Sequence, residues 1–163
     1  TTSTTTPTTP AFSYKPDEDY PFIKVPDSDC TIATDRMYSV EHVWVKREAN
    51  DVAIMGITPS MVLILGDPYL MDLPEVGRKL ARDKDFFTTI SGWKISADMY
   101  SPVSGTIVGV NEGLKPYLRG DKILPVVYSA YSHGWMIAVK LDNPSDLDGL
   151  LSPEGYLERL GKK

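Results

Sequence analysis

Between Tyr38 and Leu141 the chain is cut into short apolar segments by glycines, prolines and an Asn-Asp pair, and this punctuation restricts its fold more than any other feature. Val43-Trp44-Val45 and Val52-Ala53-Ile54-Met55-Gly56-Ile57, with Asn50-Asp51 between them, predict a β-hairpin. Further strands are expected near residues 68–73, 78–82, 86–91, 94–100, 105–110 and 134–141. Many short strands of this kind build a small sandwich or barrel. Thr58 can cap a short helix with Pro59 at its first position, running over Met61 to Leu65 and ending at Gly66. Asn143-Pro144 and Ser152-Pro153 repeat the cap-plus-proline signal and predict two C-terminal helices, with apolar faces from Leu147, Leu150, Leu151, Tyr156, Leu157 and Leu160.

Composition narrows the function classes. A chain of 163 residues with 42% hydrophobic content can bury a real core as one domain. The net charge of -5, with Lys and Arg scattered, argues against a nucleic-acid binder, which carries a basic stripe. Apolar runs such as Met61 to Leu65 are too short to cross a bilayer, and no basic segment precedes an apolar one near the start. A cytoplasmic protein with no membrane span is expected. Cys30 cannot form an internal disulfide, and with His42 and His133 as the only histidines a Cys/His metal site lacks ligands. Cys30 is read as an ordinary thiol near a flexible segment.

Residues 1–12 are a Thr/Pro-rich tail that cannot bury enough apolar surface to offset the entropy of ordering, so disorder is expected. Residues 13–37 mix anchors (Tyr14, Tyr20, Phe22, Ile23, Val25) with prolines and acidic residues, and read as an extended strap lying across a main domain at 38–163.

Lys94 stands between strand-like residues, with Ser101-Pro102-Val103-Ser104-Gly105 forming a second turn beyond it, so its amine is presented at a hairpin tip. At neutral pH a free lysine, with a pKa near 10.4, is a poor nucleophile, and no adjacent base activates it. It is better read as a place of attachment than as a catalytic group.

The stretch Lys94-Ile95-Ser96-Ala97-Asp98-Met99-Tyr100-Ser101-Pro102-Val103-Ser104-Gly105 resembles the lipoyl-attachment segment of glycine-cleavage H-proteins, which typically reads E-S-V-K-A-x-S-D-x-x-S-P-x-S-G. Tyr38-Ser39-Val40-Glu41-His42-Val43-Trp44-Val45 is similar to that family's Y-[ST]-x-x-H-E-W-V. Gly56-Ile57-Thr58, Leu65-Gly66-Asp67, Leu73-Pro74-Glu75-Val76-Gly77, Val110-Asn111-Glu112 and Tyr131-Ser132-His133-Gly134-Trp135-Met136-Ile137 follow in the family's order. The resemblance implies a barrel-sandwich hybrid with flanking short helices. It implies a carrier, not an enzyme, with lipoic acid in amide linkage on Lys94, added by a lipoate ligase. It also implies a cleft in which His42 and Asp98 match the family. Trp93 either shields one side of the arm, is read by the ligase, or points inward as core, and His133 receives no role.

Two departures bear on cargo. Val43 stands where the family has the glutamate of H-E-W, and Ser91 where it has the glutamate three residues before the lysine. Losing two negative groups favours a neutral or anionic cargo, as in the lipoate-binding proteins of sulfur oxidation that work with a heterodisulfide-reductase-like complex and dihydrolipoamide dehydrogenase. Gly92-Trp93 and a longer region between Leu114 and Gly134 also set the chain apart. The alternative is the glycine-cleavage carrier itself, moving an aminomethyl group between glycine decarboxylase and aminomethyltransferase.

Overall fold

A computed structural model of the chain describes residues 14–16, 18–117 and 124–161. The tail at 1–12, and part of the longer region between Leu114 and Gly134, lie outside the described residues. The elements follow in chain order as β1 (Phe22–Lys24), β2 (Thr31–Ala33), β3 (Met37–Tyr38), β4 (Val43–Glu48), β5 (Val52–Ile57), α1 (Pro59–Leu65), β6 (Leu70–Met71), β7 (Lys79–Leu80), β8 (Phe86–Ser91), β9 (Ser96–Tyr100), β10 (Gly105–Val110), α2 (Pro125–Tyr128), β11 (Ile137–Leu141) and α3 (Pro153–Gly161). The fold is mainly β and antiparallel. A six-stranded sheet runs β3-β4-β5-β11-β10-β7, a three-stranded one β6-β8-β9, and β1 pairs with β2.

The expected hairpin forms, with β4 continuing to Glu48 and a turn at Ala49–Asp51 in which Asn50 and Asp51 take left-handed backbone at φ 63° and 58°. Asn and Asp tolerate that conformation because their short polar side chains bond locally. Thr58 caps α1 by accepting from the Met61 N–H at 3.3 Å, and Gly66 ends the helix at φ 74°.

Several expected strands are shorter than the apolar pattern suggested. The segment near 68–73 pairs only at Leu70–Met71, and that near 78–82 only at Lys79–Leu80. The segment near 134–141 pairs from Ile137, because the Gly134 and Trp135 amides close a turn onto the carbonyls of Ser129 and Ser132. At the C-terminus, α3 forms after Ser152, whose hydroxyl accepts from the Gly155 N–H at 3.0 Å. The Asn143-Pro144 segment instead winds as a 3-10 turn over Pro144–Gly149, with no bond from the Asn143 side chain.

The middle of the six-stranded sheet, along β5 and most of β11, is buried on both faces, and alternation along the strands sorts the layers. Val43, Val45, Ala53, Met55, Ile57, Ile137 and Val139 join an aliphatic core with Leu65, Phe87, Ile90, Met99 and Ile107. Trp44, Ile54 and Ala138 face a second, aromatic layer with Tyr38, Tyr131, Trp135 and Tyr156. Tyr14, Tyr20, Ile23 and Val25 pack onto that second layer, whereas Phe22 is exposed.

Arg36 is buried within the aromatic layer. Its guanidinium lies 4.7 Å from the Trp44 ring centroid, 5.1 Å from Tyr131 and 5.3 Å from Tyr20. It also pairs with Asp35 at 2.8 Å and donates to the Tyr131 carbonyl at 2.9 Å. A buried cation is tolerable only with such compensation from ring quadrupoles, a carboxylate and a hydrogen-bond acceptor. Cys30 is buried too, not loosely held, and its amide donates to Ser28 Oγ at 3.0 Å.

Candidate functional site

Lys94 sits in the four-residue loop 92–95 joining β8 to β9, whose first cross-strand pair is Ser91 with Ser96. The loop is clamped to the end of α1. The Lys94 and Ile95 amides donate to the Leu65 carbonyl at 2.9 and 3.3 Å, and the Trp93 amide donates to the Gly66 carbonyl at 2.6 Å. The last carbonyls of a helix have no partner within it, so the hairpin tip satisfies them while the helix fixes the tip. These bonds also explain why β9 begins at Ser96, two residues later than expected: the Trp93, Lys94 and Ile95 amides bond to the helix end, and only the Gly92 amide bonds across the hairpin, to the Ile95 carbonyl at 2.9 Å.

Two glycines permit the clamp. A Cβ on Gly92 would collide with the Leu65 carbonyl, and one on Gly66 would collide with the Lys94 side chain at Cγ. The Lys94 stem therefore passes directly over the helix end, with the side chain exposed. Lys94 is the sole Lys or Arg in residues 85–114.

Beside the hairpin a cleft of about 400 Å³ is lined by Glu41 and His42 before β4, Met61 and Ile64 on α1, and Ala97, Asp98 and Tyr100 on β9. His42 has left-handed backbone at φ 71°, a strained conformation for a non-glycine residue. The turn is held because the Thr58 amide donates to the His42 carbonyl at 3.1 Å and the Ser39 hydroxyl accepts from the Glu41 and Val43 amides.

His42 Nδ1 lies 2.6 Å from Tyr156 Oη, which lies 2.7 Å from Thr58 Oγ1. Burial, and then the Arg159 charge, hold the imidazole pKa below its ordinary value, so the ring is neutral at neutral pH. Burial pushes the Tyr156 phenol up to about 12, against the lowering effect of its bonds to Thr58 and Ser60. Nδ1 and the phenol oxygen thus share one proton, and the ring is fixed in place at the cleft wall. Asp98, which lines the cleft, accepts from Thr89 Oγ1 at 2.7 Å.

The expected site residues separate. His42 and Asp98 meet in the cleft; Val43, Ser91 and Trp93 do not line it. Val43 is fully buried opposite Ile57 in the aliphatic core, because β4 begins there and its first side chain points between the sheets. Ser91 bonds Ser96 Oγ at 3.0 Å and lines a separate groove with Leu70, Met71, Asp72, Leu73 and Thr89. Trp93 is 78% exposed with its ring 5.1 Å from Tyr69, which removes the inward-facing alternative.

The cargo argument built on Val43 is corrected accordingly. A side chain at 43 contributes no charge to the cleft, whereas Glu41, two residues earlier, does line it. Sequence reading passed over Glu41 because it falls on an unspecified position of the motif, and only the His42 turn reveals which side chains reach the cleft. His133 lies apart, 3.4 Å from the Glu18 carboxylate. Among the described residues no group of three or more His, Cys, Asp or Glu could hold a metal ion, and no helix is long and apolar enough to cross a membrane.

Comparisons with known proteins agree with this architecture. The family model described as glycine cleavage H-protein matches residues 36–163. The glycine cleavage system H protein of Aeromonas salmonicida is 40% identical over 125 residues, covering 77% of this chain and 92% of the relative. That of Carboxydothermus hydrogenoformans is 39% identical over 127 residues, covering 77% and 91%. The crystal structure of a glycine cleavage system H protein from Mycobacterium marinum superposes with a TM-score of 0.67 at 27% identity, covering 80% of this chain and 99% of the other. These relatives support the glycine-cleavage reading over the sulfur-carrying one. With the ordered motifs, the clamped lysine hairpin and the two-layered sheet in agreement, the chain belongs to the glycine cleavage H-protein family.

Proposed function

We propose that this protein is the lipoyl carrier of a glycine cleavage system, with lipoate attached to Lys94, and that it carries an aminomethyl group between glycine decarboxylase and aminomethyltransferase. The observation that carries this reading is the pair of carboxylates, Glu41 and Asp98, in the cleft beside the Lys94 hairpin. An aminomethyl group is cationic at neutral pH, and a pair of carboxylates, though both exposed, attracts such a cation.

The residues present fit the implied cofactor. Lys94 offers an exposed amine on a fixed tip, with its stem running over the glycine that ends α1. Asp98 lies four residues further on, no more than about 13 Å away even along fully extended chain. A lipoyl-lysine of roughly a dozen bonds reaches that far. When attached, lipoate supplies a dithiolane that takes up a group as its S–S bond is reduced.

The chain's own residues then have defined tasks. Glu41 and Asp98 neutralise the cargo's charge, while neutral His42 presents its remaining ring nitrogen without adding a repelling positive charge. Met61, Ile64 and Ala97 supply apolar walls that limit water. In this reading the protein is a cytoplasmic substrate of its partners and not an enzyme.

The test is direct. Protein co-expressed with a lipoate ligase gains one lipoyl group by intact mass, and glycine decarboxylase with glycine then adds the aminomethyl group. Glu41→Gln with Asp98→Asn reduces loading or shortens the adduct's lifetime several-fold. A lipoylated protein that refuses aminomethyl but takes sulfane sulfur from a heterodisulfide-reductase-like complex overturns the reading.

A further inference from the structure

Trp93 places a large apolar side chain in water beside the proposed attachment site. Its ring rests against Tyr69, its amide is tied to the Gly66 carbonyl, and the clamp on α1 prevents it from folding inward. Ile95 on the other side of Lys94 is 46% exposed, and Leu70, beside Tyr69 and paired with Ser91, is exposed as well. Trp93 and Ile95 therefore flank Lys94 in the loop, and with Tyr69 against Trp93 and Leu70 next in the chain they form an apolar collar at the base of the lysine. Exposed apolar area gathered around one functional group marks an interaction surface. Trp is also the side chain most enriched among residues that carry binding energy.

The surroundings of the collar are acidic. In sequence Asp67 lies two residues before Tyr69 and Asp72 two after Leu70, and Asp98 follows on β9, while no Lys or Arg occurs in residues 48–77 and none but Lys94 in 85–114. The complementary surface has an apolar centre and a basic rim.

Reach decides which partner this is. An enzyme that acts on the end of the lipoyl arm works about a dozen bonds from the backbone and has no need to touch residues 93 and 95. An enzyme that acts on the lysine amine has only five bonds, roughly 6 Å, between its reacting atom and the Lys94 backbone, and so cannot avoid them. We propose that the Trp93 collar is the recognition surface for the enzyme that acylates Lys94, and that the enzymes loading and unloading the arm do not depend on it. This deepens the reading of Lys94 as the lipoyl anchor and rests on it.

The step requires a lipoate whose carboxyl is activated as a mixed anhydride with a nucleotide. The Lys94 amine loses one proton and attacks the carboxyl carbon with its lone pair. The C–N bond forms, the C–O bond to the nucleotide phosphate breaks with its electron pair, and the second amine proton passes to solvent or a base of the partner. Trp93, packed against the partner, holds the short lysine stem at the mouth of that enzyme's site.

The experiment uses the full chain, a lipoate ligase, lipoate and ATP, with initial rates read by intact mass. Trp93→Ala lowers kcat/KM for acylation at least tenfold, Trp93→Phe restores most of it, and Asp67→Asn with Asp72→Asn raises KM several-fold. Trp93→Ala protein acylated to completion with excess ligase is then reduced by dihydrolipoamide dehydrogenase within twofold of wild type. Acylation of Trp93→Ala within twofold of wild type overturns the proposal, as does an equal loss in both assays. Failure of the parent reading looks different: Lys94→Ala still gains the lipoyl mass, or wild type gains none.

Discussion

The two faces of the six-stranded sheet are built from different materials and serve different ends. The face toward β8 and β9 is largely aliphatic, with valine, isoleucine, leucine and methionine packed around Phe87. The opposite face is aromatic and partly polar, with Tyr38 stacked on Tyr156 at 4.6 Å and a caged Arg36 joining Trp44, Tyr131 and Tyr20. An aliphatic layer carries no directional bonds and fixes the distance between the sheets. The aromatic layer adds directional contacts, so it can attach the segments at 14–16 and 18–35 and α3 in one orientation. One polar thread, Thr58 to Tyr156 to His42, joins the aromatic layer to the cleft.

Five substitutions separate these layers from the site they support. The largest expected effect is functional: Lys94→Ala abolishes lipoylation by intact mass, with a melting temperature within about 2 °C of wild type because the residue is exposed. Next is Val43→Glu, which places an unpaired carboxylate among Val45, Ile57 and their neighbours. It lowers stability by at least about 3 kcal/mol in urea unfolding. Improved aminomethyl loading in a well-folded Val43→Glu protein would show instead that position 43 faces the cleft.

Trp44→Ala removes the indole that contacts Arg36 and donates from Nε1 to the Ala130 carbonyl at 3.0 Å. A loss of about 3–5 kcal/mol is expected, together with faster proteolysis near Tyr20. An intact 14–35 segment in that variant would break the link between the aromatic layer and the segment it holds. Tyr156→Phe cuts the polar thread at a cost of about 1–2 kcal/mol, and by NMR it changes the His42 ring environment while leaving the hairpin unmoved.

The smallest effect is on pH dependence. The folded His42 pKa lies below the ordinary 6.5, so the unfolded chain takes up the proton first as pH falls. His42 therefore contributes stability fully above about 6.5, and that contribution declines as pH drops below it toward the folded value. The difference in urea midpoint between wild type and His42→Gln should narrow between about pH 7.5 and 5.5. A constant difference would mean that the ring is not held neutral.

Much of this was legible in the chain. The Val52–Ile57 strand, the Thr58-Pro59 helix start and the Ser152-Pro153 start follow local rules that tertiary context did not disturb. Lys94 was legible as a presented amine because turn residues bracket it. What failed did so for non-local reasons. Residues 94 and 95 have strand-like neighbours, yet their amides bond to a helix about thirty residues earlier in sequence, which no periodicity reports. Val43 was expected at the cleft and is buried, while Glu41, given no role, lines it, because the left-handed residue His42 between them redirects the side chains on either side. Trp93 could not be oriented from alternation, since it lies in the loop and not on a strand.

The clamp between the α1 end and the hairpin loop has a consequence for kinetics. A tethered group is delivered at a local concentration set by the volume it sweeps, in the millimolar range or above for a short link. A loop that swung on its own would add its excursion to the reach of the arm, and doubling the radius would dilute the tethered group about eightfold. Three backbone hydrogen bonds to Leu65 and Gly66 prevent that. For the lipoyl arm proposed on Lys94 the backbone is thereby a fixed pivot, and the concentration met by each proposed partner would be set by the length of the modified side chain.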